Sequence, residues 1–377
     1  MSEAQLPQAE GGPRLDLRGS SDTRRIQGTR QIDFPRSNNL QWLRLMFAAQ
    51  VAVVHAGAHL GVPIPSYVQH FPGVPAFFFV SGFLIYASYQ NAPGTRYVEN
   101  RFLRLFPALL FVTLAGGAVA IVAHGWKDLF EHPVTYLVWF LAQVSVGQAY
   151  NPELFRDVGV GVINGSLWTI TTEIIFYLFV PAIVWLERRV KHAVFMLVVA
   201  SFSIYALGPL LWSTPIYRDK TIYDAIEVTP LAWGWMFGFG ILTVKYFDWL
   251  ARVIKFLPWA ILPVIVMALY GEGLLFGSTG NRLGLVYFAC YAMLILWIAF
   301  GTASISLATD LSYGIYIWHM PVINLLLVLA IPSPFPVALG LTLVMAATSW
   351  FLVEKPALSL KRRSLLPVQT KRKSSSG

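Results

Sequence analysis

Residues 41–60 read QWLRLMFAAQVAVVHAGAHL. Only Gln41, Arg44, Gln50, His55 and His59 interrupt an otherwise apolar run. A helix needs about 20 mostly apolar residues, at roughly 1.5 Å rise each, to cross the hydrocarbon of a bilayer. The stretch therefore reads as a membrane span, and ten more segments compete for the same reading: 72–90, 105–123, 134–150, 166–186, 192–212, 229–246, 254–271, 283–301, 311–331 and 335–353.

The whole chain of 377 residues agrees with this reading. Hydrophobic residues make up 56% and charged residues 12%, and the mean hydropathy is +0.59. A soluble domain carries roughly a quarter charged residues, so this chain cannot clothe a water-facing surface. The same figures exclude disordered, collagen-like and disulfide-scaffold classes. The single cysteine, Cys290, lies in an apolar run, which rules out an intramolecular disulfide and a cysteine-based metal site.

Lysine and arginine placement sets the topology. Segment 134–150 is the shortest and carries Gln143, Ser145, Gly147 and Gln148. If it does not cross and the N-terminus is cytoplasmic, 23 of the 28 basic residues fall inside and 5 outside. If it does cross, the split is 14 to 14. The expected fold is thus an all-α polytopic bundle of about ten transmembrane helices with both termini cytoplasmic. Segment 134–150 is then a re-entrant or interfacial piece of a long external loop, 124–165. The expected organisation is a disordered basic tail over 1–37, a membrane domain over 38–358 and a second basic tail over 359–377. The net charge of +9 follows from this topology and from anionic lipid beside the tails, with no nucleic-acid partner.

Ionisable residues inside spans are expensive and mark function. Arg44 and His55 are eleven residues apart. Eleven steps of 100° return to within about 20° of the start, roughly 16 Å further on, so both side chains face the same way. Arg101 and Arg104 in RYVENRFLRLFPALL are i,i+3 neighbours, a pair of forks suited to phosphate. They also satisfy the inside-positive rule. Glu173 in SLWTITTEIIFY needs a partner at its depth, and His55 is the expected one; Tyr177 shares its face. Ser312, Tyr316 and His319 in LSYGIYIWHMPV form one stripe, with His319 about 12 Å in from the inner end. Glu354 ends the last span, where helix-end capping or docking is expected. Gly82, beside Ser81 in FFFVSGFLIY, suits close helix packing. His55 and His59 are the one i,i+4 histidine pair, too little for a metal site, and none is expected.

Taken in order, R-x10-H in the first span, FFFVSGFLI, RFLRLFPAL, SLWTITTE, LSYGIYIWHMPV and VEKPAL resemble the membrane acyltransferase family 3 from about residue 38 to 358. That family includes O-acetyltransferases of lipopolysaccharide O-antigen, exopolysaccharide and nodulation factors. The resemblance implies ten membrane helices in a bacterial inner membrane. It implies acyl transfer from cytoplasmic acetyl-CoA or another acyl-CoA, a co-substrate and not a resident cofactor, to a glycan or lipid-linked sugar. It also implies functional roles for Arg44, His55, Arg101, Arg104, Ser166, Trp168, Glu173, Tyr313, Tyr316 and His319. Many members carry a fused esterase-like domain after the last span; a short basic tail stands there in this chain, so handover to such a domain is not expected.

The expected mechanism places Arg44, Arg101 and Arg104 on the CoA phosphates. His55 acts as general base on the sugar hydroxyl, or carries the acyl group as an acyl-histidine. Glu173 orients His55, and Tyr316 and His319 line the CoA channel or position the thioester. The rival reading is a transporter or flippase, in which intramembrane His, Glu and Arg couple protons. The absence of an inverted repeat and the ordered motifs speak against it. External loops 61–71, 124–165, 213–228, 272–282 and 332–334 are expected to shape the acceptor site, with Tyr67, Phe71, Trp126, Tyr150, Tyr217 and Tyr223 as sugar-stacking candidates.

Overall fold

The computed structural model describes residues 34–360 apart from 36, 149, 212–225 and 227. Most of both predicted tails, and Tyr217 and Tyr223, lie outside the described residues. Each of the eleven apolar segments forms a helix, and no strand occurs among the described residues. The main helices are α1 (Leu40–Leu60), α2 (Gly73–Asn91), α3 (Thr95–His124), α4 (Pro133–Val146), α5 (Trp168–Glu187), α6 (Ala193–Leu211), α7 (Pro230–Lys245), α8 (Ile261–Tyr270), α9 (Leu285–Phe300), α10 (Ser312–Val328) and α11 (Pro334–Ser349).

Local chemistry sets several of the boundaries. Gly61, at φ 71°, closes α1 in the left-handed conformation that a side chain would disfavour. The Thr229 hydroxyl caps α7 by accepting from the Leu231 N–H, and Pro230 sits at the first helical position, where its missing N–H has no cost. A single π turn, Trp350–Glu354, extends α11 and turns Glu354 inward to 2% exposure. Its carboxylate accepts from the Ser349 hydroxyl at 3.0 Å. Glu354 is therefore docked inside the bundle, beyond a simple cap.

Six helical stretches are long and apolar enough to cross a membrane: Leu40–Leu60, Ser66–Asn91, Thr95–His124, Gly165–Glu187, Phe247–Tyr270 and Pro334–Leu360. Large apolar side chains such as Leu114, Leu178, Phe195, Leu262 and Leu352 are exposed. Water would penalise that surface, whereas lipid would not.

Two packing units build the bundle. In the first, α7 lies against α2 and α6. A Cβ on Gly82 would sit 1.9 Å from the Phe237 carbonyl oxygen, and one on Gly240 would sit 2.1 Å from that of Phe79. The glycines thus let two backbones touch, the small-residue packing used where no water drives helices together. The Phe176 and Phe237 rings stack beside this contact at 3.9 Å. In the second unit, α10 is wrapped by α1, α3 and α11. From Ser312 to Asn324 every residue of α10 is buried, so its polar side chains must find partners inside the protein. Segment 134–150 forms α4, which lies against α3 with Trp139 beside Gly116 and leaves Val134, Leu137 and Leu141 exposed.

Candidate active site

The N-terminal ends of α1, α3 and α10 meet through one carboxylate. Asp310, two residues before α10, accepts from Arg44 Nη1 at 3.1 Å and from Arg104 Nη2 at 2.7 Å. It also accepts from the Ser312 hydroxyl at 2.6 Å. Burial alone would push the Asp310 carboxyl up. The Arg44 and Arg104 charges outweigh it, aided by the Ser312 hydrogen bond, and hold the carboxyl well below the usual carboxylate range. Arg101 is held differently. It donates to Ser88 at 2.9 Å and lies over the Tyr177 and Tyr97 rings at 5.5 and 5.9 Å. Its Nε is buried with no partner among the described residues. The three predicted arginines thus gather in one place, but two are already matched by a carboxylate.

Above them lies a cavity of about 100 Å3, lined by Arg44, Arg101, Arg104, Glu173, Tyr177, Tyr313 and Tyr316 among others. Thr169 Oγ1 and the Tyr316 hydroxyl are 2.6 Å apart at its inner end.

His55 faces away from Glu173. Its Nδ1 lies 2.9 Å from His319 Nε2, and His319 Nδ1 lies 3.3 Å from the Ile315 carbonyl oxygen. A carbonyl can only accept, so His319 Nδ1 carries the proton and its Nε2 is a lone pair. His55 Nδ1–H must then donate to it, and the His55 Nε2 lone pair has no partner among the described residues. The pairing expected between His55 and Glu173 is therefore corrected: Glu173 accepts instead from the Tyr177 hydroxyl. The reason is azimuthal. Sequence gives the depth of Glu173 but not the direction α5 presents to its neighbours, and that direction is the arginine cavity. His319 likewise stands off the cavity wall, one ring behind Tyr316 at 5.9 Å between centroids.

Buried amides hold this arrangement, and the sequence reading did not single out either of them. Asn324 donates to the Val162 and Ile163 carbonyls at 2.9 Å and accepts from the Val160 N–H at 2.8 Å. Asn164 donates to the Ile317 carbonyl at 2.9 Å, and Ser166 donates to Asn164 Oδ1 at 2.7 Å. These bonds staple the connection before α5 to α10 on both sides of His319. A lone asparagine in the apolar run VINLLLV was the available signal for Asn324. For Asp310 it was an acidic residue directly before the LSYGIY stripe.

Residues 37–354 match the acyltransferase domain of the acyltransferase 3 family. The chain belongs to that family. Nodulation protein 10 of Rhizobium leguminosarum bv. viciae is 31% identical over 353 residues, 86% of this chain and 94% of that protein. An O-acetyl transferase of Shigella phage Sf6 is 27% identical over 342 residues, 86% of this chain and 97% of that protein. No solved structure matches. Family membership and the apolar helices together make the protein a multi-pass membrane acyltransferase.

Proposed function

We propose that this acyltransferase moves a short acyl group, acetyl above all, from cytoplasmic acyl-CoA to a hydroxyl of a cell-surface or exported glycan, in the bacterial inner membrane. The observation that carries the reading is the His55–His319 hydrogen bond, which leaves the His55 Nε2 lone pair without a partner among the described residues. It lies roughly 16 Å along α1 from Arg44, at the far end from the arginine mouth.

In the proposed reaction, Arg101 binds the CoA phosphates with its unmatched charge, while Arg44 and Arg104 turn part of theirs from Asp310. The thioester end of the donor reaches past the arginine cavity, along the face of α1 that leads from Arg44 to His55. His55 Nε2 takes the proton of the sugar hydroxyl as its oxygen attacks the thioester carbonyl. The carbon–sulfur bond breaks, CoA leaves as a thiolate, and the proton passes from His55 to that sulfur. His319 keeps the tautomer of His55 fixed throughout and so acts as a positioning residue, the part a carboxylate plays in a serine-hydrolase triad. The same lone pair can instead attack the thioester and carry the acyl group as an acyl-histidine.

The topology that fits is ten spans with both termini inside. Arg44 and Arg104 precede segment 134–150 and Asp310 follows it, yet the three are ion-paired. A crossing by 134–150 would put Asp310 on the opposite side of the membrane, so the ion pairs favour a segment that does not cross. The test of the function is acetyl transfer from radiolabelled acetyl-CoA in membranes, with release of free CoA. Label is expected in alkali-labile ester on glycan, and a membrane that neither consumes acetyl-CoA nor labels glycan contradicts the reading.

A further inference from the structure

At the end of the bundle opposite the arginine mouth lies a second, larger pocket of about 590 Å3, within the usual size range of ligand sites. It is lined by Gln148, Trp168, Trp233, Thr279, Asn281 and Arg282 among others. Gln148 follows α4, Trp168 opens α5, Trp233 sits in the first turn of α7, and residues 279–282 precede α9. Three connections therefore converge on it from separate parts of the chain. Among the described residues, none that lines it is a carboxylate.

Two indoles line it, Trp168 half-buried and Trp233 buried behind it, with ring centroids 5.5 Å apart and planes at 47°. An indole offers a flat apolar face with one donor at the edge. Around them stand the neutral hydrogen-bonding groups of Gln148, Thr279 and Asn281, and the guanidinium of Arg282. Gln148 Oε1 accepts from Gln143 at 3.0 Å, which leaves the Gln148 amide N–H groups as donors. Thr279 and Asn281 are exposed. Arg282 is the charged member of the lining, and it donates to the Tyr205 carbonyl at 3.3 Å and lies over the Tyr205 ring at 5.1 Å. A flat apolar face ringed by hydrogen-bonding groups matches a pyranose, which has a C–H face and a rim of hydroxyls.

The pocket also abuts the donor cavity. Phe78 lines that cavity, and its ring packs on Trp168 at 6.1 Å and on Trp233 at 5.7 Å. One phenyl ring thus separates the two. Thr169, the residue after Trp168, bonds to Tyr316, whose ring packs on His319. The outer pocket, the cavity and the histidine pair therefore share one continuous wall.

We propose that this outer pocket is the subsite for the acceptor glycan, with a sugar ring seated on Trp168, which Trp233 backs from behind. The assignment rests on the acyl-transfer reading above and adds where and by what chemistry the acceptor is held. The test uses cells that lack their chromosomal copy and carry wild type, Asn281→Trp or Thr279→Trp. Both changes fill the pocket from exposed positions that take no part in the donor cavity. Ester-linked acetate is released from the surface glycan by mild alkali and quantified, and affinity for radiolabelled acetyl-CoA is measured in membranes of the same cells. Glycan acetate is expected to fall about tenfold or more in both variants, a change worth about 1.4 kcal/mol, with donor affinity held within about twofold. Wild-type acetate in both variants overturns the assignment. So does a parallel loss of donor affinity, because the pocket would then support the bundle and not the acceptor. If wild type itself transfers no acetate, the acyl-transfer reading fails and this assignment falls with it.

Discussion

His55 Nδ1 and His319 Nε2 are 2.9 Å apart, and the Ile315 carbonyl beneath His319 decides which of the two rings donates. This makes His319 the partner that fixes the tautomer of His55. His319→Ala should lower kcat about 100- to 1,000-fold, within the usual range for a general base left unpositioned, with little change in acyl-CoA affinity. His319→Gln, whose amide oxygen can accept from His55 Nδ1, should recover part of the loss. Equal kcat for the Ala and Gln variants would mean that His319 only fills space.

Donor affinity should depend unequally on the three arginines. Arg101 has no carboxylate partner among the described residues, whereas Asp310 matches both Arg44 and Arg104. Arg101→Ala should weaken acyl-CoA binding by about 1.5–3 kcal/mol, the value of a charge-assisted hydrogen bond, and should flatten the salt dependence of binding. Arg101→Lys should rescue only in part, because the fork is lost. Titration of radiolabelled acetyl-CoA at two ionic strengths measures both.

Asp310→Asn should tighten donor binding, since it frees two guanidinium groups, and should destabilise the fold. Removing one member of a buried ion pair costs about 3–5 kcal/mol; these side chains are 13% to 22% exposed, so a smaller loss is expected. The carboxyl is held below its unfolded value, so its stabilisation is complete above the ordinary carboxylate range. It fades as pH falls from about 4 toward the lower folded value. The Tm gap between wild type and Asp310→Asn should stay flat from pH 8 to 5 and close below 4. A gap that widens on acidification would contradict this sign.

Glu173→Gln should act through the donor and not through the histidines. Glu173 lines the arginine cavity and accepts from Tyr177. The variant should raise KM for acyl-CoA more than it lowers kcat. A fall in kcat as deep as that of His319→Ala, at unchanged KM, would return Glu173 to the proton-transfer step.

What the sequence revealed, and what it hid, follows from whether the geometry lies within one helix or between helices. The alignment of Arg44 with His55 was legible because eleven residues of a single helix fix it, and both side chains face α10 through Asp310 and His319. The close approach at Gly82 was legible because a missing Cβ means the same in any context. The partner of His55 was hidden, since it depends on how α1, α5 and α10 are rotated about their own axes. Arg101 and Arg104, i,i+3 neighbours on the helix expected to enter the span at 105, do lie on α3, which begins at Thr95. The charged stretch RYVENRFLRL continues the helix past the apolar run, and this brings Arg101 and Arg104 onto the cavity wall. Asp310 lies outside every apolar segment, where a charge carries no cost that would mark it as functional.

The central claim, that His55 Nε2 is the reacting base, is tested most directly by His55→Ala in membranes, scored for radiolabelled acetyl transfer beside acetyl-CoA affinity. Transfer should fall about 100- to 10,000-fold with donor affinity unchanged, and hydroxylamine-labile label on wild-type protein would identify the covalent route. Near-normal turnover in His55→Ala would place the chemistry elsewhere and contradict the account.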